Sequence, residues 1–210
     1  LEKTMRHILL IAALLLSSTA FADEQTRNLP TFKSIKTRSA FSLVVEVGKS
    51  QSVQVKGNER FVNNVITEVI GDELVISYKE KNSIKVSDNS QVIISIPELS
   101  RFKMEGAGKT VLNNLSGPHF ALYYEGAGML VANGKVKSFI LRAEGVGLVE
   151  TKDLIAEQVD AHIEGIGSVS VNARDSLNAS VQGIGSLTYY GRPRNVSKSV
   201  EGIGSVRAGD

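Results

Sequence analysis

Ala161-His162-Ile163-Glu164-Gly165-Ile166-Gly167-Ser168-Val169-Ser170-Val171 is the stretch on which the fold is read. Its apolar members Ala161, Ile163, Val169 and Val171 share one parity, and His162, Glu164, Ile166 and Ser168 share the other. Alternation of this kind marks an extended strand with one buried face. The phrase at its centre recurs six times. The copies are Glu105-Gly106-Ala107-Gly108, Glu125-Gly126-Ala127-Gly128, Glu144-Gly145-Val146-Gly147, Glu164-Gly165-Ile166-Gly167, Gln182-Gly183-Ile184-Gly185 and Glu201-Gly202-Ile203-Gly204, at steps of 18 to 20 residues. A period near twenty marks units that stack on their neighbours. No unit holds a helical run of ten or more residues, and β-branched and aliphatic side chains dominate. The expected fold is therefore all-β: a parallel β-helix with one coil per repeat over residues 101–210.

In that arrangement the glycines share the parity of the core, and they stack as two inward columns. Glycine weakens a strand, so six copies imply a geometric demand at a sharp corner. The expected structural corners are Gly106, Gly108, Gly126, Gly128, Gly145, Gly147, Gly165, Gly167, Gly183, Gly185, Gly202 and Gly204. A phosphate-cradling loop does not fit, because no lysine and helix start follow any copy.

The acidic position faces out. Glu105, Glu125, Glu144 and Glu164 should stack about 5 Å apart, and Gln182 then separates them from Glu201. At that spacing two unit charges repel by roughly 0.8 kcal/mol in water and about 3 kcal/mol at a surface dielectric. Two readings stand. The row is solvated and partly neutralised by Lys103, Lys109 and Arg142, or it is a stripe that binds calcium, a sugar or a protein surface. Tyr123 and Tyr190 point outward and are further ligand-contact candidates. Arg192, Arg194 and Lys198, with Pro193, place charge at an open end of the stack, where it blunts strand pairing.

The segment Phe32 to Ser100 reads as short alternating strands, including Phe41-Ser42-Leu43-Val44-Val45-Glu46-Val47 and Val92-Ile93-Ile94-Ser95-Ile96. Asn58 can cap one short helix on which Phe61, Val62 and Val65 share a face. These strands and the helix are expected to cap the stack. Asp23 to Thr31 is polar and reads as a flexible leader. Upstream, Met5-Arg6-His7, an apolar run from Ile8 to Leu16, and Ala20-Phe21-Ala22 have the order of a cleavable export signal over residues 1–22. The run is too short for a bilayer span, which needs about 20 residues. Residues 32–210 are expected as a single domain.

The chain has no cysteine and a formal net charge of +2. Disulfides are excluded, and nothing argues for nucleic acid as a partner. Zinc lacks ligand spacing, since His119 and His162 are isolated, and no cofactor is expected.

From Phe32 to Gly209 the chain resembles the "putative auto-transporter adhesin, head GIN domain" family of exported bacterial proteins. The matching features are Phe41-Ser42-Leu43-Val44-Val45, Gly71-Asp72-Glu73-Leu74-Val75-Ile76, Ile96-Pro97-Glu98-Leu99, the six Gly-x-Gly steps and Tyr190-Gly191-Arg192-Pro193. The resemblance implies a right-handed parallel β-helix and a surface or envelope role: periplasmic, outer-surface or secreted. The expected function is a non-catalytic binding scaffold whose partner is a protein or glycan surface. The alternatives are a carbohydrate-active enzyme using outward Glu residues of adjacent coils, and a structural protein that assembles end to end into homo-oligomers.

Overall fold

The computed structural model describes residues 23–79 and 90–209. The export signal expected over residues 1–22 lies outside them, as do residues 80–89.

The chain turns back on itself early. β5 (Val65–Ile70) and β6 (Glu73–Tyr78) form an antiparallel hairpin in which Ile70 pairs with Glu73. Gly71 at φ 64° occupies the first central position of the two-residue turn, where a positive φ matches the twist of the flanking strands. β1 (Asp23–Arg27) and β4 (Ser52–Gly57) pair antiparallel, and β4 pairs antiparallel with β7 (Gln91–Ile96). β2 (Ser34–Ser39) lies parallel between β6 and β8 (Arg101–Gly106). β3 (Ser42–Val47) lies parallel between β7 and β9 (Lys109–Gly126).

These pairings correct the expected fold class. The right-handed parallel β-helix expected over residues 101–210, capped by the earlier strands and helix, is not what forms. Nine strands in the order β1-β4-β7-β3-β9-β8-β2-β6-β5 make a nearly closed, barrel-like sheet of mixed direction. The two-residue turn at Gly71 and Asp72 forces β5 and β6 antiparallel, and β4 lies antiparallel to both β1 and β7. The early strands therefore enter the sheet as members instead of lying over the end of a stack. The leader is corrected too. Asp23–Arg27 is β1, and the Arg27 guanidinium donates from Nη2 to Val62 O at 2.8 Å and Val65 O at 3.3 Å.

α1 (Glu59–Asn64) follows β4, and Asn58 caps it by accepting from Phe61 N at 2.8 Å. Phe61, Val62 and Val65 are buried, and Phe61 meets Phe41 edge-on with centroids 5.3 Å apart.

The later strands continue the sheet off that path: β10 (Met129–Gly183), β11 (Ser186–Tyr190), β12 (Asn195–Gly202) and β13 (Ser205–Ala208). Here pairing is parallel and in register. Glu105 and Gly106 face Glu125 and Gly126, which face Glu144 and Gly145. Gln182 and Gly183 face Glu201 and Gly202. The core carries the inward parity of every row, with Phe102, Phe120, Phe139, Leu141, Val171 and Val181 fully buried. The stack is close enough that a Cβ at Gly126, Gly145, Gly147, Gly165 or Gly202 would strike the carbonyl oxygen of a glycine in the preceding row. Gly106, Gly108, Gly128, Gly167, Gly183, Gly185 and Gly204 complete the two columns. The demand at these glycines is thus the approach of one row's backbone to the next, more than space inside a corner. No helix among the described residues is long and apolar enough to cross a membrane.

Candidate functional site

Outward side chains stack as columns across the parallel rows. Tyr123 lies between Lys103 and Arg142, and the glutamates lie one column further along the strand. The two ends of the glutamate column differ. Glu105, only 26% exposed, accepts from Lys36 at 2.8 Å, Arg38 at 2.8 Å and Lys103 at 3.0 Å. Lys103 also bridges to Glu125 at 2.7 Å, and those two carboxylates keep its ammonium charged to higher pH. Lys36 and Arg38 come from β2, whose residue Arg38 is in register with Glu105. The sequence reading assigned neutralisation to Lys103, Lys109 and Arg142. Of these, Lys103 takes the role, while Arg142 binds Asp160 instead, at 2.7 Å. Glu144, Glu164 and Glu201 are exposed and make no ion pair among the described residues. Glu201 accepts a 3.4 Å hydrogen bond from Gln182.

Burial works against the Glu105 carboxylate, but Lys36, Arg38 and Lys103 outweigh it and hold its pKa down from 4.5 to about 2. A lowered folded-state pKa gives stability that is present above the unfolded value and lost as pH falls through the folded one. The window is pH 4.5 down to about 2. Linkage sets an upper bound of about 3 kcal/mol, and solvent screening reduces it to about 1–2 kcal/mol. Urea midpoints should therefore fall more steeply on acidification in the native protein than in Glu105→Gln, with the two converging near pH 2. Parallel curves would remove the network as a source of stability.

Beyond the glutamates lies a second column that the sequence reading did not use as a surface. The residue between the two glycines changes from Ala107 and Ala127 to Val146, Ile166, Ile184 and Ile203. Backbone bonds between rows align it: Ala127 N donates to Gly106 O, Ile184 N to Gly165 O and Ile203 N to Gly183 O. Val146, Ile166, Ile184 and Ile203 are 54%, 52%, 57% and 83% exposed. This is an apolar ridge, edged by the unpaired carboxylates. The signal was available, since Ile166 falls on the outward parity of its strand.

Tyr124, next to outward Tyr123, is buried and serves the corner. Its hydroxyl accepts from Gly128 N at 2.7 Å and donates to Gly128 O at 2.8 Å. Burial pushes its pKa up. Tyr190, on β11, pairs with Asn172 of β10, so Tyr123 and Tyr190 do not share a site. Lys198 sits over the Tyr189 ring, 4.5 Å from its centre, at the open edge of the last row. No three of His, Asp and Glu among the described residues converge as metal ligands.

The family described as "Putative auto-transporter adhesin, head GIN domain" matches residues 31–128 and 119–193. The chain belongs to that family. Solved structures share the head GIN fold. A "putative adhesin" from Bacteroides fragilis is 22% identical, with TM-score 0.74, over 89% of this chain and 96% of that one. A "putative adhesin" from Parabacteroides merdae is 14% identical, with TM-score 0.56, over 91% and 98%. A "putative lipid binding protein" from Parabacteroides distasonis is 18% identical, with TM-score 0.52, over 91% and 98%. No curated protein matches the chain.

Proposed function

We propose that this head GIN protein is an exported, non-catalytic binding scaffold of adhesin type, which contacts an envelope or cell-surface partner through the outer face of its parallel rows. The apolar ridge of Val146, Ile166, Ile184 and Ile203 carries the reading. Isolated exposed apolar residues need no explanation, whereas four stacked on consecutive rows form a contiguous patch of the kind that marks a contact surface. Glu144, Glu164 and Glu201 beside it fit a partner with basic groups. Family membership agrees with this role. Two-carboxylate glycoside hydrolysis fits less well. It needs two acids in unlike environments, and Glu144 and Glu164 occupy equivalent exposed positions.

The double variant Ile166→Ser/Ile184→Ser should keep its stability to within about 0.5 kcal/mol, because surface changes away from packing cost little. Its retention on intact cells or envelope fractions should drop tenfold or more, and native retention should weaken as salt is raised. Equal retention of variant and native protein would refute the reading.

A further inference from the structure

The same outer face carries a groove of about 750 Å³, earlier along the strands than the glutamate column. Ile140, Gln158, Asp160, Asn178, Arg194 and Asn195 are among its lining residues. Its chemistry is unlike the ridge. Asp160 is fixed from two sides: Oδ1 accepts from Arg142 Nη1 at 2.7 Å, and Oδ2 accepts from Asn178 Nδ2 at 3.4 Å. Arg142 is itself tethered, donating to Leu141 O at 3.0 Å and Asp160 O at 3.3 Å. A carboxylate has about four acceptor sites, so a pinned Asp160 keeps acceptor capacity toward the groove. Gln158 and Asn195 are exposed amides on either side of the row that carries Asn178, each both donor and acceptor. Ile140, half-buried, supplies an apolar patch among them.

We propose that this groove is a carbohydrate-binding site for a neutral oligosaccharide, with Asp160 accepting from one ring hydroxyl and the Asn178 amide pairing with its neighbour. The proposal rests on the binding-scaffold reading and names a ligand class for it. A sugar hydroxyl donates to a carboxylate and accepts from an amide at once, which matches the acid and amide that Asp160 and Asn178 place on adjacent rows. The C–H face of a pyranose matches Ile140. An apolar ligand would strand the polar groups without partners. Arg142 compensates the charge of Asp160, so the wall recognises by hydrogen bonds, and Arg194 is the lining group at which a charged ligand would differ from a neutral one. The groove volume lies within the range of small-ligand sites, about 300–1,000 Å³.

The test uses the full protein and saturation-transfer NMR against gluco-, galacto-, manno- and N-acetylglucosamine oligomers, with a uronic acid oligomer as the charged comparison. At least one neutral oligomer should bind, and Asp160→Asn and Asn178→Ala should each weaken it tenfold or more. Ile166→Ser/Ile184→Ser should bind it unchanged. No transfer to any neutral oligomer, or affinity unaltered in both groove variants, overturns the site. Stronger binding of the uronic acid oligomer overturns the ligand class. Loss of envelope retention in the ridge variant without saccharide binding leaves the scaffold reading standing and removes this one.

Discussion

Gly165→Val should destabilise the protein by about 3–5 kcal/mol, from backbone strain and overpacking together. Gly165 has φ +122°, a region that side chains with a Cβ rarely adopt. Its Cβ would also strike the carbonyl oxygen of Gly145 in the preceding row. Neither problem has a cheap escape. The obstacle is backbone, and that backbone is bonded across to further rows. Gly185, two residues past the same position in the next copy of the phrase, makes the contrast. A Cβ there meets Ile163 Cγ2 at 3.2 Å and Gly167 O at 3.5 Å. A methyl can give by a few tenths of an ångström, so Gly185→Ala should cost less than about 1.5 kcal/mol. Urea denaturation of the two variants measures the difference. A Gly165→Val midpoint close to native would mean that the rows do not approach as closely as this geometry requires.

How much of this was legible follows from what each feature depends on. Parity within a strand is local, so the outward placement of Glu164 and Ile166 and the inward placement of Ile163 and Val169 could be read directly. The Asn58 cap and the turn at Gly71 are local too. The copies of the phrase fixed their own register, and Glu105, Glu125 and Glu144 do lie side by side. Pairing between segments without repeats has no such marker. Lys36 and Arg38 alternate with buried Ile35 and Thr37, which shows a strand but not its neighbour. That neighbour is β8, 67 residues away, and its ion pairs with Glu105 follow from that placement alone.

The fold class failed for the same reason. One hairpin, β5–β6, and the antiparallel placement of β4 between β1 and β7 turn a stack of parallel rows into a mixed, barrel-like sheet. Six copies of one phrase drew attention to the half of the chain where all pairing is parallel. Arg142 shows a smaller version of the problem. An outward residue in a strand has neighbours along its own strand and across to the next row. Arg142 lies two residues from Glu144, yet its guanidinium turns across to Asp160. Its partner is thus set by the pairing of rows, which the expected neutralisation of the glutamate row did not contain, and the groove depends on the same pairing.

Phe139→Ala should cost about 3–5 kcal/mol, the range for truncating a buried aromatic side chain. Phe139 is fully buried and stacks on Phe120 of the neighbouring row, with centroids 5.9 Å apart and planes 12° from parallel. Removing the ring leaves a void between two rows held rigidly by their backbone bonds, so the site cannot collapse to fill it. Ile140, the next residue, points the opposite way into the groove. Ile140→Ala should cost only about 1 kcal/mol, typical of a half-exposed position, while weakening saccharide binding. Folded Phe139→Ala, studied well below its urea midpoint, should bind saccharide close to normally, because every groove side chain is intact. Adjacent residues on one strand would then separate stability from recognition by parity alone. Equal destabilisation by the two substitutions would contradict the alternation on which both the core and the outer face are built.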